Sequence, residues 1–198
     1  MRNRILFTLL FALAARAELI DRIAVSVGNR VITESDLNRQ IRVIAFQDGV
    51  QPDFSSANKH AVAAKMIDQK LIQRELETSR YPQANAADLM PAIAEFKKTH
   101  YKDDAEYRRA LAEYKITEQD LMDVLLWERT LLQFVEIRFE TGVQLTDQET
   151  ADYARQNKIS MQDAARAMTS ARADQEMDQW LRDVRRRTDV IVHEEALR

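Results

Sequence analysis

Gly28-Asn29 stands between two short β-branched runs in "IAVSVGNRVIT", residues 23–33, and this signal restricts the topology more than any other feature. Gly accepts the φ > 0 position of a II′ turn without a Cβ clash, so the segment predicts a two-residue hairpin. "TESD" follows at once, with Thr33 as a helix cap and Asp36 three residues on to return a hydrogen bond to the cap's own N–H. A lone hairpin is marginal in water, and a third strand gives it a face worth burying. The other strand-like run, "DVIVHEE", lies near the far end of the chain. Val190-Ile191-Val192 is therefore predicted to pair with the Ile23–Val27 hairpin and tie both ends into one small antiparallel sheet.

Between these ends the chain reads as helix. Only three glycines and three prolines interrupt 198 residues, which favours long helices with few tight turns. The apolar spacing predicts a helix over 33–47, closed by Asp48-Gly49. Ser55-Ser56 caps a second, which runs to about Ser79 with Val62, Met66, Leu71 or Ile72, and Leu76 on one stripe. Pro82 breaks it. A third begins between Asn85 and Asp88 and reaches His100, with Pro91 expected in its first turn. Short helices over 103–114 and 147–156 flank the most apolar one, 118–140, which Thr117 caps with Asp120 three residues on. Thr146 with Glu149 supplies another cap of that type. Ser160 or Met161 opens a last long helix to Arg187, with Met177, Trp180, Leu181 and Val184 as its apolar positions. The expected fold class is mostly α, a helical core with a small antiparallel sheet joining the N-terminal hairpin to the C-terminal strand.

The N-terminus points to export. Met1-Arg2-Asn3-Arg4 is a basic head, residues 5–15 carry no charge, and Ala15 and Ala17 are the small residues that a signal peptidase reads. The apolar run falls short of the roughly 20 residues needed to cross a bilayer. Cleavage after Ala17 removes Arg2, Arg4 and Arg16 and no acid. The expected mature chain, 18–198, then sets 26 basic residues against 32 acidic ones, moving the net charge from −3 to −6. A periplasmic location follows, with no membrane span after cleavage. An acidic, charge-mixed surface argues against nucleic acid as a partner.

Little in the chain resembles chemistry. His60, His100 and His193 stand apart with no HxxxH or HExxH pairing, and the absence of cysteine removes thiolate chemistry and most zinc sites. Ser55, Ser56 and Ser160 are better explained as caps than as nucleophiles. No Gly-rich phosphate loop occurs. The expectation is a non-enzyme with no catalytic residues, no metal and no cofactor. Arg185-Arg186-Arg187 reads as a dipole-compensating helix end.

Helix 118–140 is apolar nearly all round. Leu121, Leu125, Leu132, Val135 and Phe139 form one stripe, and Met122, Leu126, Trp127, Leu131, Phe134 and Ile137 occupy the other sides. Such a helix is either gripped from several directions or leaves apolar surface open. Glu128 falls on the first stripe, so a buried carboxylate is expected there, paired with Arg182 or Arg185.

"IDRIAVSVGNRVITESDLNRQI" resembles the opening of the SurA N-terminal domain family, a hairpin and capped helix following a secretion signal. "ITEQDL" with "LLWERTLLQFV" is similar to that family's short loop and core helix. "LTDQETADYARQNK" resembles the helix preceding its isomerase insertion, and "QEMDQWLRDVRRRTDVIVHEE" its closing helix and return strand. In many relatives one or two parvulin-type prolyl isomerase domains occupy the position between Lys158 and Asp174. Here only fifteen residues, 159–173, fill it, without Gly, His or Cys. The resemblance thus implies a single chaperone core over 18–198 with the parvulin domain absent. Its implied function is an ATP-independent holdase that binds unfolded envelope or outer-membrane polypeptides in an apolar cleft. Tyr101, Tyr107, Tyr114, Trp127, Leu131 and Phe134 are the expected client contacts. The alternative is an accessory or structural envelope protein derived from a prolyl isomerase and acting through a partner subunit, and either homo- or hetero-oligomers fit. A solvent-open cleft beside helix 118–140 favours the chaperone, and a fully packed helix favours the structural protein.

Overall fold

The computed structural model describes residues 21–198. The expected leader and its cleavage residues Ala15 and Ala17 lie outside them. Strand β1 (Ile23–Val27) and β2 (Arg30–Thr33) form the hairpin, and β3 (Val190–Val192) adds to the free edge of β1, giving the order β2-β1-β3. All pairing is antiparallel, with Val25 between Ile32 on one side and Val192 on the other. Gly28 has φ 58° and Asn29 is not in the positive-φ region, the signature that separates II′ from I′ turns. The Gly28 N–H donates to the Asp189 carbonyl at 2.8 Å, so the turn itself receives the returning chain.

The sheet buries one face. Ala24, Val25 and Ile32 have no exposure and Val27 almost none, whereas Val31 and Ile191 point outward on either side of Ser26. Under the buried face lie helix α1 (Glu34–Asp48) through Leu37 and Ile41, and helix α2 (Ser56–Ser79) through Val62, Ala63, Ile67 and Leu71. After β3 a 3-10 turn, Glu194–Ala196, folds Leu197 into this same cluster, and the Arg198 carbonyl accepts from the Lys59 ammonium at 2.7 Å. This C-terminal plug went unforeseen, because one leucine in "HEEALR" carries no periodicity.

The same turn latches onto α2. His60 Nδ1 faces the Ser56 carbonyl at 2.7 Å and Nε2 faces the Glu194 carboxylate at 2.9 Å. Those two acceptors raise the imidazole pKa above its ordinary 6.5, the Ser56 carbonyl most. A raised folded-state pKa gives stability that is fully present below the unfolded value and lost as pH rises through the folded one. Urea midpoints of the wild type and His60→Gln are therefore expected to differ most below pH 6.5 and to converge at higher pH. A gap that widens with pH would contradict the latch.

The capping expectations hold. Thr33 with Asp36, Thr117 with Asp120 and Thr146 with Glu149 each form a reciprocal capping box, and Ser55, Asn85, Asp103 and Ser160 cap the remaining α-helices. At Thr146 the backbone N–H and hydroxyl, with Arg172 beside them, hold the Glu149 carboxyl down at about 2. Helix ends were harder to foresee. Glycine closes only α1, and Arg80, Lys115 and Lys158 take the left-handed cap position at α2, α4 and α6.

Helix α3 (Ala86–His100) carries Pro91 as its sixth residue rather than in its first turn. The missing N–H removes one bond to Ala87, an interruption tolerated by a peripheral helix that buries only Ile93. Helix α4 (Asp104–Tyr114) packs on α1. Helix α5 (Glu118–Val135) gives way to a π-helical turn, Glu136–Glu140, which the continuous helix expected over 118–140 did not include. Phe134 and Phe139 lie five residues apart, which in an unbroken α-helix would set them roughly 140° apart. The wider π turn returns both to one side, with ring centroids 5.7 Å apart. Helices α6 (Asp147–Asn157) and α7 (Met161–Arg186) form an antiparallel pair, and α7 also runs back along α2 and the π turn.

Glu128 corrects a second expectation. It is exposed, while Arg185 bonds Asp68 at 2.7 Å and Arg182 bonds Gln179 at 2.9 Å. The reason is that α5 serves two cores. Its start buries Leu121 in a cluster with Val43, Phe46 and Tyr107, and its end buries Phe134 with Ile72, Leu76 and Phe139. Leu121 and Phe134 point roughly 140° apart around the helix axis. Glu128 shares the direction of Leu121, but by that level the packing has moved to the other side. Leu132, on the same expected stripe, is 63 % exposed.

Candidate functional site

Helix α5 packs along α1 and α3 and meets α2 at its end, where Phe134 joins Ile72 and Leu76, and a furrow opens between α2 and the middle of α5. Three adjoining cavities of about 590, 380 and 280 Å³ share two residues, Gln69 of α2 and Trp127 of α5. The largest has an apolar floor of Ile44 from α1, Met66 from α2, Trp127 and Leu131 from α5, and Met177 and Leu181 from α7. Four helices thus converge on it. Met66 belongs to the sheet cluster, and Trp127, Leu131 and Met177 pack at the edge of the Phe134 cluster. The floor is accordingly the seam where two cores meet without closing.

Charged groups surround that floor. Asp48, Lys65, Asp68, Glu128 and Asp178 line the same cavity. Asp68 is the most enclosed of them, and burial raises its pKa against the opposing pull of Arg185, with Asp178 adding a like charge.

The structure divides the six expected client contacts into two groups. Trp127 and Leu131 line the furrow and are half-buried. Phe134 lies beneath them with no exposure, edge-on to Tyr81 and Phe139 and 5.7 Å from Trp180. It supports the furrow and has no surface to offer. Arg138 lies over the Phe134, Phe139 and Trp180 rings while donating to Glu75 and to the Tyr81 hydroxyl, both at 2.9 Å. This cage fixes the π turn against α2 and α7.

The tyrosines belong elsewhere. Tyr101, Tyr107 and Tyr114 surround Phe46 at centroid distances of 6.4, 6.4 and 5.4 Å and lock α4 onto α1. Tyr107 is fully buried beneath the Lys97 ammonium, 4.4 Å from the ring centroid, and burial pushes its hydroxyl up to about 12. A direct contact between Tyr107 and a docked chain is excluded in this conformation. Met66, Met177, Leu181 and Gln69 were missing from the expected contacts. In the sequence the first three are ordinary helix-stripe residues, and only the spacing between α2 and α5 distinguishes a floor from a closed core.

Among the described residues no three His, Asp or Glu side chains gather as a metal site, and no helix is long and apolar enough to cross a membrane. No protein-family model matches the chain, and no curated protein matches it.

Proposed function

We propose that the protein is an exported, ATP-independent holdase chaperone, similar to a SurA core without its isomerase, that shelters unfolded envelope or outer-membrane polypeptides. The furrow beside α5 carries this reading: an open apolar floor that two cores support from below and that no other element of the described chain covers. Met66 and Met177 suit varied clients because an unbranched thioether side chain repacks at low cost, and Trp127 and Leu131 add apolar area. The hairpin motif, the three Thr-based caps and the return of β3 to β1 are the further support.

Extended client segments dock by apolar burial worth about 25 cal/mol per Å², most of which is offset by the ordering of the client. Affinity is therefore modest, on the order of micromolar, and a client's own folding outcompetes it. No nucleotide is involved, and no proline isomerisation is catalysed.

The test is aggregation of an unfolded outer-membrane barrel protein after dilution from denaturant. Suppression at a several-fold molar excess of the chaperone is expected, with a change in tryptophan emission that Trp127→Phe reduces. Unchanged light scattering and no peptide binding would refute the proposal. Measurable isomerisation of a prolyl tetrapeptide would overturn its non-enzymatic part.

A further inference from the structure

The furrow's rim has a sign, and that sign selects among clients. Of the five charged residues around the largest cavity, four are acidic. Arg185 pairs with Asp68 at 2.7 Å. Among the described residues Asp48, Glu128 and Asp178 have no ion-pair partner, and all three are exposed. Lys65 is the one cation of the lining. An apolar floor edged by three unpaired carboxylates against one ammonium complements an apolar segment that carries cations at its ends.

We infer that the furrow prefers extended peptide segments whose apolar side chains are flanked by lysine or arginine, with Glu128 and Asp178 recognising the flanking cations. This rests on the chaperone reading and specifies its client class. The two acids come from different helices, Glu128 from α5 and Asp178 from α7, and line one cavity together with Trp127, Leu131 and Met177. A segment lying on the floor therefore meets a carboxylate from each of the two helices. Asp68 adds little to the bias, because Arg185 already answers its charge, so the preference rests on the three unpaired acids. Exposed charges in water act weakly and are screened by salt, so the preference is a matter of several-fold and fades at high ionic strength.

Three fluorescent peptides with one apolar core, flanked by lysine, by serine or by glutamate, test this on the full chain by anisotropy. In about 50 mM salt the lysine-flanked peptide is expected to bind about 5- to 10-fold tighter than the glutamate-flanked one, and about 500 mM salt should collapse the difference. Glu128→Gln combined with Asp178→Asn should weaken lysine-flanked binding by a similar factor. Asp174→Asn with Glu176→Gln removes equal charge from exposed positions of α7 that do not line the cavity, and should not. Equal binding of all three peptides, or tighter binding of the glutamate-flanked one, overturns the inference while leaving the holdase intact. Binding of none overturns the holdase reading itself. A dimer that dissociates as peptide is added would assign the furrow to a second copy of the chain and overturn the inference as well.

Discussion

Val25→Asp is expected to abolish cooperative folding. Val25 has no exposure and sits at the middle of the middle strand, paired to Ile32 and to Val192. Replacing it forfeits about 1.5–3 kcal/mol of apolar burial. It also places a carboxylate among buried apolar side chains, where several kcal/mol more are lost. Together these rival the roughly 5–15 kcal/mol that holds an ordinary domain folded. The damage spreads beyond the sheet, because the cluster around Val25 contains Leu37 and Ile41 of α1 and Val62, Ile67 and Leu71 of α2. Circular dichroism should therefore show loss of helix as well as of the thermal transition. Val31→Asp is the control. Val31 lies in the same sheet but is 45 % exposed, and its change should stay within about 1 kcal/mol. A Val25→Asp protein that melts like the wild type would mean that the sheet does not organise the fold.

Phe134→Ala is expected to lower stability by about 3–5 kcal/mol, or on the order of 10 °C in melting temperature. Its ring is fully buried and is the common neighbour of Tyr81, Phe139 and Trp180, with the Arg138 guanidinium 5.9 Å above its centroid. Removing it empties the centre of that cage. Trp127 and Leu131 pack on the same cluster and form part of the furrow floor, so peptide affinity should fall along with stability. Leu132→Ala, two residues earlier on the exposed side of α5, should do neither. A midpoint within about 2 °C of the wild type for Phe134→Ala would contradict the packing described here.

Features written in a few adjacent residues were legible in the sequence. The II′ turn needs only Gly28, and the capping boxes need only Thr33, Thr117 and Thr146 with an acid three residues on. The β1–β3 pairing followed from elimination, since a hairpin needs a third strand and the chain offers one. Features that depend on which side of a helix its neighbours occupy were not legible. A single stripe along α5 placed Glu128 and Leu132 inside, because one period assumes one core, whereas α5 packs on two in succession. The π turn is invisible for the same reason: only the position of Trp180 and Phe134 requires Phe139 to face them.

The candidate site divides along the same line. Trp127 and Leu131 were recognisable as large apolar residues on a helix with too much apolar surface to hide. Tyr107 and Phe134 looked equivalent to them in the sequence, but they are core, because aromatic content says nothing about which aromatic stays at the surface. The furrow floor needed α2 and α7 as well as α5. Met66 and Met177, 111 positions apart, become neighbours in one cavity only in the folded chain.

Client cross-linking shows directly whether unfolded chains occupy the furrow, and a chain with no cysteine allows it without background. Lys65→Cys places a photoreactive label on the furrow rim, and Arg166→Cys places the same label on the exposed N-terminal half of α7, outside the three adjoining cavities. Each labelled protein is mixed with an unfolded outer-membrane barrel protein and illuminated. Strong adducts are expected from position 65, competed by an apolar peptide, and few from position 166. Equal adducts from both positions, or adducts from position 166 alone, would contradict occupation of the furrow.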